Sequence, residues 1–425
     1  MTIAYFVRSL TNGGAEHVAA QLTILWSKLG FKVLVVSEQP PTKQDYPHQI
    51  VAREVAPLDI LSPSRILDMH TQYRFDIAVF NDGCNASGFA RILESVKAIP
   101  NMRTVLILHH SFMNWCFQLV CLRELSDGPR LLASFDFVVC VDPLSALWWR
   151  QAGARSVWIP NPVAIKPCEK CEYMPSHDIV WVGRVTDSGK RIGLMLDVFG
   201  RVHAKMPDSR LVILGAIEPT LERGLLRHFS CDVAKAVVFK GFVSDVSAEL
   251  KRAGVHVLTS LVEAAPQVVA EAQAVGVPTV VYDLPVLCME NESSGVVKVA
   301  GEEDLAEALV SLLDDPERMQ RLGQCAVETV KKRKYDLVGA DKWRKIFACL
   351  KNHAELESFI EEEGYVLNSA ELRQAMFEEL RRGHQYLVGR YLPENLCLMK
   401  WRRRFNVRYV MQRMRNKFGK VLKWL

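Results

Sequence analysis

The sequence predicts an α/β protein with two successive, doubly wound parallel sheets facing a cleft, followed by a helical C-terminal extension. The chain has 425 residues, more than a single hydrophobic core usually serves. Short runs of valine, isoleucine and leucine alternate with longer amphipathic stretches, which is typical of strands buried between layers of helices. The alternation begins again after a proline-rich passage at residues 160–175, so we assign the two sheets to separate domains.

Each domain is expected to contain six buried strands. In the first domain the strands are "TIAYFV", "KVLVVS", "DIAVFN", "TVLILHH", "FVVCVD" and "SVWIP". In the second domain they are "DIVWVG", "RLVILG", "AVVFKG", "VHVLTS", "PTVVYD" and "VVKVA". The first helical pattern runs from Ala15 to Leu29 and ends at Gly30, a C-cap residue. We predict domains at residues 1–162 and 163–335, a crossover helix at 336–350 that returns to the first domain, and the extension at 351–425.

Composition and cysteine usage limit the possible classes of protein. Apolar residues make up 49% and charged residues 24% of the chain, as in globular proteins. No run of about 18 apolar residues occurs, and "MTIAYFVRSL" is interpreted as a strand rather than a signal peptide. The eleven cysteines are scattered, which favours a reducing compartment such as the cytoplasm. The close pair Cys168 and Cys171 lacks a second pair at similar spacing, so we interpret it as two free thiols rather than a zinc site.

The turn after the first strand reads "RSLTNGGAEH" and contains two glycines. Ligands of doubly wound sheets bind at the carboxyl ends of the strands, beside the N-termini of the following helices. Gly13 and Gly14 would let the backbone approach a ligand closely, and the helix would offer free N–H groups to an anion. The pattern is not GxGxxG, and two glycines also occur in ordinary tight turns.

The corresponding turn of the second domain, "WVGRVTDSGKR", carries two cations. Arg184 and Lys190 could converge on one diphosphate, with arginine as a planar fork and lysine as a point charge. The alternative is that both are solvated loop cations.

Two glutamates in "SLVEAAPQVVAEAQAVGVP" lie in an otherwise small and apolar stretch. Glu263 is expected in the loop at the end of a strand, and Glu271 about one turn into the helix that Gly276 ends. A carboxylate is costly to bury unless it is bound, and it can accept two hydrogen bonds from a vicinal diol. Alternatively, Glu271 complements the helix dipole as a first-turn acid, although that interpretation leaves Glu263 unexplained.

Several motifs now resemble, in order, those of one enzyme family. They are "GGAE", "VGR…K", "LVILG", "VVFKGFV" and "S-x-x-E-x7-E-A-x-A-x-G-x-P", with "IPNPV" at the hinge and "DLAEALVSLLDDPERMQRLG" near the end. Together they resemble GT-B glycosyltransferases of family four, a group that retains anomeric configuration, over about residues 3–350. The resemblance implies the GT-B fold, with an N-terminal acceptor domain and a C-terminal domain for a nucleotide-sugar donor.

The resemblance also implies roles for the charged residues. Glu271 would bind the ribose hydroxyls, and Glu263 would bind a hydroxyl of the transferred sugar. Arg184 and Lys190 would neutralise the departing diphosphate. A histidine after the strand "TVLILHH" would hydrogen-bond the donor sugar, and the sequence leaves His109 and His110 as equal candidates. The further donor-binding residues implied are Gly13, Gly14, Gly183, Phe242, Val243, Ala264 and Ala265, with the Gly13–Gly14 loop closing from the other domain.

One departure from the family pattern concerns the loop after the first glutamate. The family usually has glycine and a bulky residue there, whereas this chain has Ala264, Ala265 and Pro266. Alanine can still present backbone N–H groups but resists positive φ, so we expect a slightly different loop. Because Arg184 and Lys190 supply positive charge, we expect neither a metal nor another cofactor.

The final segment of the chain is strongly basic. Ten lysines and arginines lie between Lys400 and Lys423, and no acid follows Glu394. Since the whole chain has a net charge of +5, residues 1–395 carry −5, which argues against nucleic acid as a partner. An apolar stripe accompanies the charge, formed by Val407, Met411, Met414, Phe418, Val421 and Leu425. This pattern predicts an amphipathic helix at residues 396–425 that binds a membrane surface, the alternative being a helix packed on the body.

The sequence thus predicts a glycosyltransferase at the inner face of the plasma membrane that transfers a sugar from a nucleotide-sugar to a surface-glycan acceptor, most simply a lipid-linked one. Three alternatives remain. A sugar-nucleotide epimerase of GT-B fold should have additional acid/base carboxylates. A non-catalytic binding subunit should have lost Arg184, Lys190 or a glutamate, and all are present. A membrane scaffold would not need these residues at all.

Overall fold

A computed structural model describes residues 1–11, 13–58, 61–82, 89–113, 130–163, 165–169, 176–185, 188–243, 245–350, 358–363 and 369–391. The chain divides into two compact units. Unit 1 contains Met1–Pro162 and the chain from Leu337 onward, and unit 2 contains Val163–Asp336. The predicted membrane-binding segment, residues 396–425, lies outside the described residues.

The elements alternate as the apolar runs predict. Within the described ranges the strands are β1 (Thr2–Val7), β2 (Lys32–Ser37), β3 (Ala52–Val55), β4 (Ile77–Asp82), β5 (Arg103–Leu108), β6 (Phe137–Cys140), β7 (Ser156–Trp158), β8 (Asp178–Val182), β9 (Arg210–Leu214), β10 (Val237–Gly241), β11 (Val255–Leu258), β12 (Thr279–Tyr282) and β13 (Val296–Val299). The helices are α1 (Gly14–Lys28), α2 (Pro63–Tyr73), α3 (Ala90–Lys97), α4 (Pro143–Gln151), α5 (Ile192–Lys205), α6 (Pro219–Leu226), α7 (Cys231–Ala236), α8 (Val246–Leu250), α9 (Gln267–Val275), α10 (Glu302–Leu313), α11 (Pro316–Arg333), α12 (Tyr335–Cys349) and α13 (Ala370–Tyr391).

Unit 1 is built on a parallel sheet of seven strands in the order β3-β2-β1-β4-β5-β6-β7. The central strands are buried on both faces; in β1, every residue from Ile3 to Val7 is inaccessible to solvent. Burial on both faces explains why these strands are continuous apolar runs rather than alternating patterns.

The edge strand β3 was not predicted from the sequence. It has the sequence "AREV", and none of its residues is fully buried. Arg53 donates to the Ser37 hydroxyl over 2.8 Å and pairs with Asp45, and both side chains of the ion pair are largely buried. A strand held by polar side chains at a sheet edge lacks the apolar run that revealed the others.

The chain after residue 337 completes the core of unit 1. Trp343 and Phe347 of α12 pack against Trp26 of α1, with ring centroids 5.0 and 5.6 Å apart. Lys342 donates to the Trp158 carbonyl over 2.9 Å and pairs with Glu363 at 2.6 Å. Helix α13 packs against α4. The described part of the extension therefore belongs to the first unit.

Unit 2 is built on a parallel sheet of six strands in the order β10-β9-β8-β11-β12-β13. These are the six strands that the apolar runs predict. Helix α9 packs against α11, and α5 packs against α10. The predicted fold class, two parallel sheets with flanking helices and a helical C-terminal segment, is confirmed. Among the described residues, no helix is both long and apolar enough to span a membrane.

Candidate functional site

The strand order of unit 2 reverses between β8 and β11. From β8 the chain proceeds to β9 and β10 on one side, and from β11 it proceeds to β12 and β13 on the other. Loops diverge at such a point and leave a crevice at the carboxyl ends of the two strands. The loops that follow β8 and β11 carry the sequence motifs that predicted a ligand.

Hydrogen bonds join these two loops. The Trp181 indole donates to the Thr259 hydroxyl over 2.9 Å, and that hydroxyl donates to the Lys190 carbonyl over 2.7 Å. The Leu261 amide donates to the Gly189 carbonyl over 2.9 Å. The backbone of Lys190, which ends a short 3₁₀ turn from Ser188, is therefore fixed against the loop after β11.

Lys190 and Glu263 form an ion pair across the two loops. Lys190 Nζ lies 2.5 Å from Glu263 Oε1, and the side chains are 25% and 10% exposed. Each charge is thus partly removed from water but still reachable by a ligand. The structure brings together one residue from each of the two motifs.

Glu271 lies in α9, just beyond its first turn, and is 7% exposed. Burial raises the pKa of its carboxyl group to about 7, from the ordinary value of 4.5. Gly276, with φ of 79°, ends the helix in the left-handed conformation that favours glycine. The position of Glu271 beyond the first turn disagrees with the alternative that it complements the helix dipole as a first-turn acid.

Three glycines end the neighbouring strands β8, β9 and β10. The Gly183 amide donates to the Leu214 carbonyl over 3.0 Å, and the Gly215 amide donates to the Gly241 carbonyl over 2.8 Å. A Cβ atom on Gly215 would lie 1.9 Å from the Gly183 carbonyl oxygen. The turn that leads to Arg184, itself exposed, therefore requires glycine at position 215. Our sequence reasoning missed Gly215, although "LVILG" and "VVFKG" both end in glycine.

Replacing Gly215 by alanine should displace the Gly183 carbonyl and the turn behind it. We expect a loss of about 1–3 kcal/mol in the free energy of unfolding, the usual cost of overpacking, together with reduced turnover. Gly224→Ala is the matched control, because a Cβ there meets no atom within 4 Å and the residue lies in α6. Denaturant unfolding would contradict the argument if Gly215→Ala were as stable as Gly224→Ala.

The remaining residues predicted in unit 2 lie around this edge. Phe242 is 48% exposed, and Val243 packs against a core cluster that includes Val212 and Leu250. Ala264 is buried and Ala265 partly buried. Among the described residues other than glycine, positive φ occurs only at Arg74, Asn101, Arg191 and Lys334. The loop after Glu263 therefore does not demand the conformation that alanine resists.

In unit 1, Gly13 and Gly14 begin α1. Gly13 is an extended N-cap residue whose carbonyl accepts from the His17 amide over 2.9 Å. Gly14 is exposed, and a Cβ there would meet no atom within 4 Å. Asn12 lies outside the described residues. The two glycines add no side chain at the helix N-terminus, but the Glu16 carboxylate of the first turn lies against it, since a Cβ on Gly13 would be 2.0 Å from Glu16 Oε2.

The two histidines after β5 differ in surroundings. His109 Nε2 lies 2.7 Å from Asn81 Oδ1, and His109 as a whole is partly buried. Burial and the neighbouring His110 lower the pKa of His109 to about 3. His110 is 6% exposed. Of the two, His109 is better placed to reach a ligand. In the described part of the chain, no three histidine, cysteine or carboxylate side chains are grouped as metal ligands would be.

Comparison with known proteins shows similarity to glycosyltransferases. Residues 176–315 match the sequence model of "Glycosyl transferases group 1". A relative in Haemophilus influenzae, named an uncharacterized glycosyltransferase, is 24% identical over 333 residues, covering 74% of this chain and 91% of its own. A phosphatidyl-myo-inositol mannosyltransferase of Mycolicibacterium smegmatis is 24% identical over 210 residues, covering 47% and 53%.

A solved structure shows the same fold. Anabaena HepE in complex with UDP and glucose superposes with a TM-score of 0.65 at 15% identity, covering 82% of this chain and 99% of the HepE chain. The family match spans the strands from β8 to β13 and both glutamate positions. The chain is therefore a glycosyltransferase with the GT-B fold, and its residues 176–315 are similar to the group 1 glycosyltransferases.

Proposed function

We propose that the protein transfers a sugar, with retention of configuration, from a nucleoside diphosphate sugar to a surface-glycan acceptor that is linked to a lipid. The observation that carries this proposal is the Lys190–Glu263 ion pair at the switch point of unit 2. It pairs a cation suited to a phosphate with a carboxylate suited to a sugar hydroxyl at the place where doubly wound sheets bind ligands.

Lys190 would act on the leaving group. As the bond to the anomeric carbon breaks, negative charge develops on the departing diphosphate while the sugar becomes positively charged. A fixed ammonium group stabilises that charge most in the transition state, so it raises kcat and not only affinity. Arg184 would add a second cation from the turn before it.

The two glutamates would hold the polar ends of the donor. Glu263, already polarised by Lys190, would accept a hydrogen bond from a hydroxyl of the sugar. Glu271 would accept hydrogen bonds from the two ribose hydroxyls, which compensate for the burial of its charge. HepE, with the same fold, was solved with UDP and glucose, which supports a nucleotide donor of this class here.

We propose that no metal ion or other cofactor takes part. The lysine and arginine of the β8 turn supply the positive charge that a divalent cation supplies in other transferases. Chelators should therefore leave turnover unchanged.

A donor screen tests the proposal. The full-length protein would be mixed with UDP-, GDP- and ADP-sugars, with and without EDTA, and followed by thermal shift and by mass spectrometry of the products. We expect one nucleotide to raise the melting temperature and its sugar to be hydrolysed or transferred in EDTA. An epimerase would leave the mass of the donor unchanged, and a binding subunit would shift the melting temperature without consuming any donor.

We propose that residues 396–425 hold the cytoplasmic enzyme at the inner face of the plasma membrane, where it would meet its lipid-linked acceptor. This segment lies outside the described residues, so its basic composition and apolar stripe are the support. The name of the mannosyltransferase relative includes a phospholipid, which agrees with an acceptor at a membrane.

Deleting residues 396–425 should release the protein from anionic vesicles. Each lysine or arginine near an anionic leaflet contributes up to about 1 kcal/mol, and salt screens this attraction. In sedimentation, the full chain should pellet with phosphatidylserine vesicles at low salt and not with phosphatidylcholine vesicles, whereas the deletion variant should stay in solution and still bind nucleotide. Failure of the full chain to pellet would contradict membrane attachment.

A further inference from the structure

Two hydrogen bonds to one asparagine oxygen link three neighbouring strands of unit 1. Tyr5 lies in β1 and Asn81 in β4, and His109 directly follows β5. Strand β4 pairs with both β1 and β5, so the three side chains come together where the strand order of this sheet reverses. The Tyr5 hydroxyl lies 2.5 Å from Asn81 Oδ1, and His109 Nε2 lies 2.7 Å from the same oxygen.

The chemistry of the three groups determines the direction of each hydrogen bond. An amide oxygen only accepts, so both neighbours must donate to Asn81 Oδ1. Tyr5 is fully buried, and burial together with nearby Glu16 raises the pKa of its hydroxyl well above the usual value, so its proton stays in place. His109 must then carry its hydrogen on Nε2.

A neutral imidazole with hydrogen on Nε2 has its lone pair on Nδ1. The lowered pKa of His109 keeps the ring neutral at physiological pH. Nδ1 can therefore accept a hydrogen bond and cannot donate one. A sugar hydroxyl can do either, so the tautomer of His109 decides which role the hydroxyl plays.

We infer that Asn81 and Tyr5 are positioning residues that hold His109 as the Nε2–H tautomer, so that Nδ1 accepts a hydrogen bond from a hydroxyl of the sugar substrate. This inference rests on the proposed function for its ligand. Neither positioning residue belongs to a motif: Tyr5 and Asn81 are polar members of two apolar strands, and pairing of the strands is what brings them to His109.

The tautomer can be measured without any substrate. Full-length protein labelled with ¹⁵N-histidine would be studied by long-range ¹H–¹⁵N correlation at neutral pH, and His109→Gln would identify the signals of His109. We expect the pattern of the Nε2–H tautomer in the wild type. In Asn81→Leu, which removes the acceptor at similar size, both tautomers should be populated. A wild-type spectrum of the Nδ1–H tautomer would overturn the inference, as would an unchanged tautomer in Asn81→Leu.

Kinetics then test the role of the network in transfer. We expect Asn81→Leu to lower kcat/KM about tenfold, the effect of one lost hydrogen bond, and Tyr5→Phe to lower it less. Tyr5→Phe also serves if Asn81→Leu does not fold, because it removes only the hydroxyl that restrains Asn81. The matched control is Tyr73→Phe, which removes a hydroxyl that donates to Glu54 over 2.6 Å elsewhere in unit 1.

The two experiments separate failure of the inference from failure of the proposed function. If the tautomer is Nε2–H but Asn81→Leu, Tyr5→Phe and His109→Gln all transfer sugar like the wild type, the positioning role is wrong while the transferase remains. If no donor is consumed by the wild type, the proposed function fails, and with it the sugar ligand of His109. If Asn81→Leu both changes the tautomer of His109 and lowers kcat/KM, the inference is supported.

Discussion

Replacing Lys190 by alanine should lower kcat about a hundredfold with the correct donor, because loss of one preorganised charge that faces the transition state typically costs on the order of 3 kcal/mol. The loss should appear in kcat as well as in kcat/KM, since the charge on the diphosphate develops as the bond to the sugar breaks. Steady-state kinetics with saturating donor would measure it.

A second lysine in unit 2 provides the matched control. Lys240 pairs with Glu249 at 2.6 Å, and the two side chains are about as exposed as those of Lys190 and Glu263. Lys240→Ala therefore removes a similar ion pair without removing the cation at the switch point. Equal kcat in Lys190→Ala, Lys240→Ala and the wild type would contradict the assigned role of Lys190.

Glu263→Ala and the double variant show whether the two residues act as a unit. If Glu263 holds the sugar while Lys190 neutralises the diphosphate, the double variant should lose less activity than the sum of the two single losses, because each group needs the other for a bound and correctly placed donor. Full additivity would mean that the ion pair seen in the structure has no part in catalysis.

Much of the fold follows from the sequence because parallel strands in this architecture are buried on both faces. Such strands must be continuous apolar runs, and twelve of them predicted twelve strands. The thirteenth, β3, lies at a sheet edge and is held by Arg53, and its sequence "AREV" has two charged residues at its centre and no apolar run. Edge strands escape a search for apolar runs for this reason.

The candidate site was predictable where a motif sits in one turn. Lys190 and Glu263 were each chosen from their own loop, and the pairing of β8 with β11 places them 2.5 Å apart. Three other residues could not be found in this way. Gly215 matters because a neighbouring strand approaches it, and Tyr5 and Asn81 matter because strand pairing joins them to His109. Contacts between strands that are distant in sequence leave no local signal.

Replacing Glu271 by glutamine should raise stability and lower nucleotide affinity at the same time. In the folded protein the pKa of Glu271 is about 7, compared with 4.5 for an exposed glutamate. The folded state therefore binds more protons than the unfolded state between these values, so this group makes the protein less stable as pH rises from about 4.5 to about 7. A pKa shift of this size lowers the free energy of unfolding by about 3 kcal/mol above pH 7. Glutamine carries no charge and avoids this cost.

Without ligand, Glu271→Gln should thus unfold at higher denaturant concentration than the wild type at pH 8, and the difference should disappear near pH 4.5. Nucleotide binding should weaken by about tenfold to a hundredfold, because hydrogen bonds from ribose hydroxyls to a carboxylate are stronger than those to an amide.

The control is Glu379→Gln, which replaces a buried acid of unit 1 that pairs with Arg382 at 2.9 Å. That variant should keep its nucleotide affinity. A carboxylate retained only for folding would not weaken the free protein, whereas one retained to bind a ligand is expected to do so. If Glu271→Gln is no more stable than the wild type at pH 8 and binds nucleotide equally well, Glu271 does not belong to the donor site.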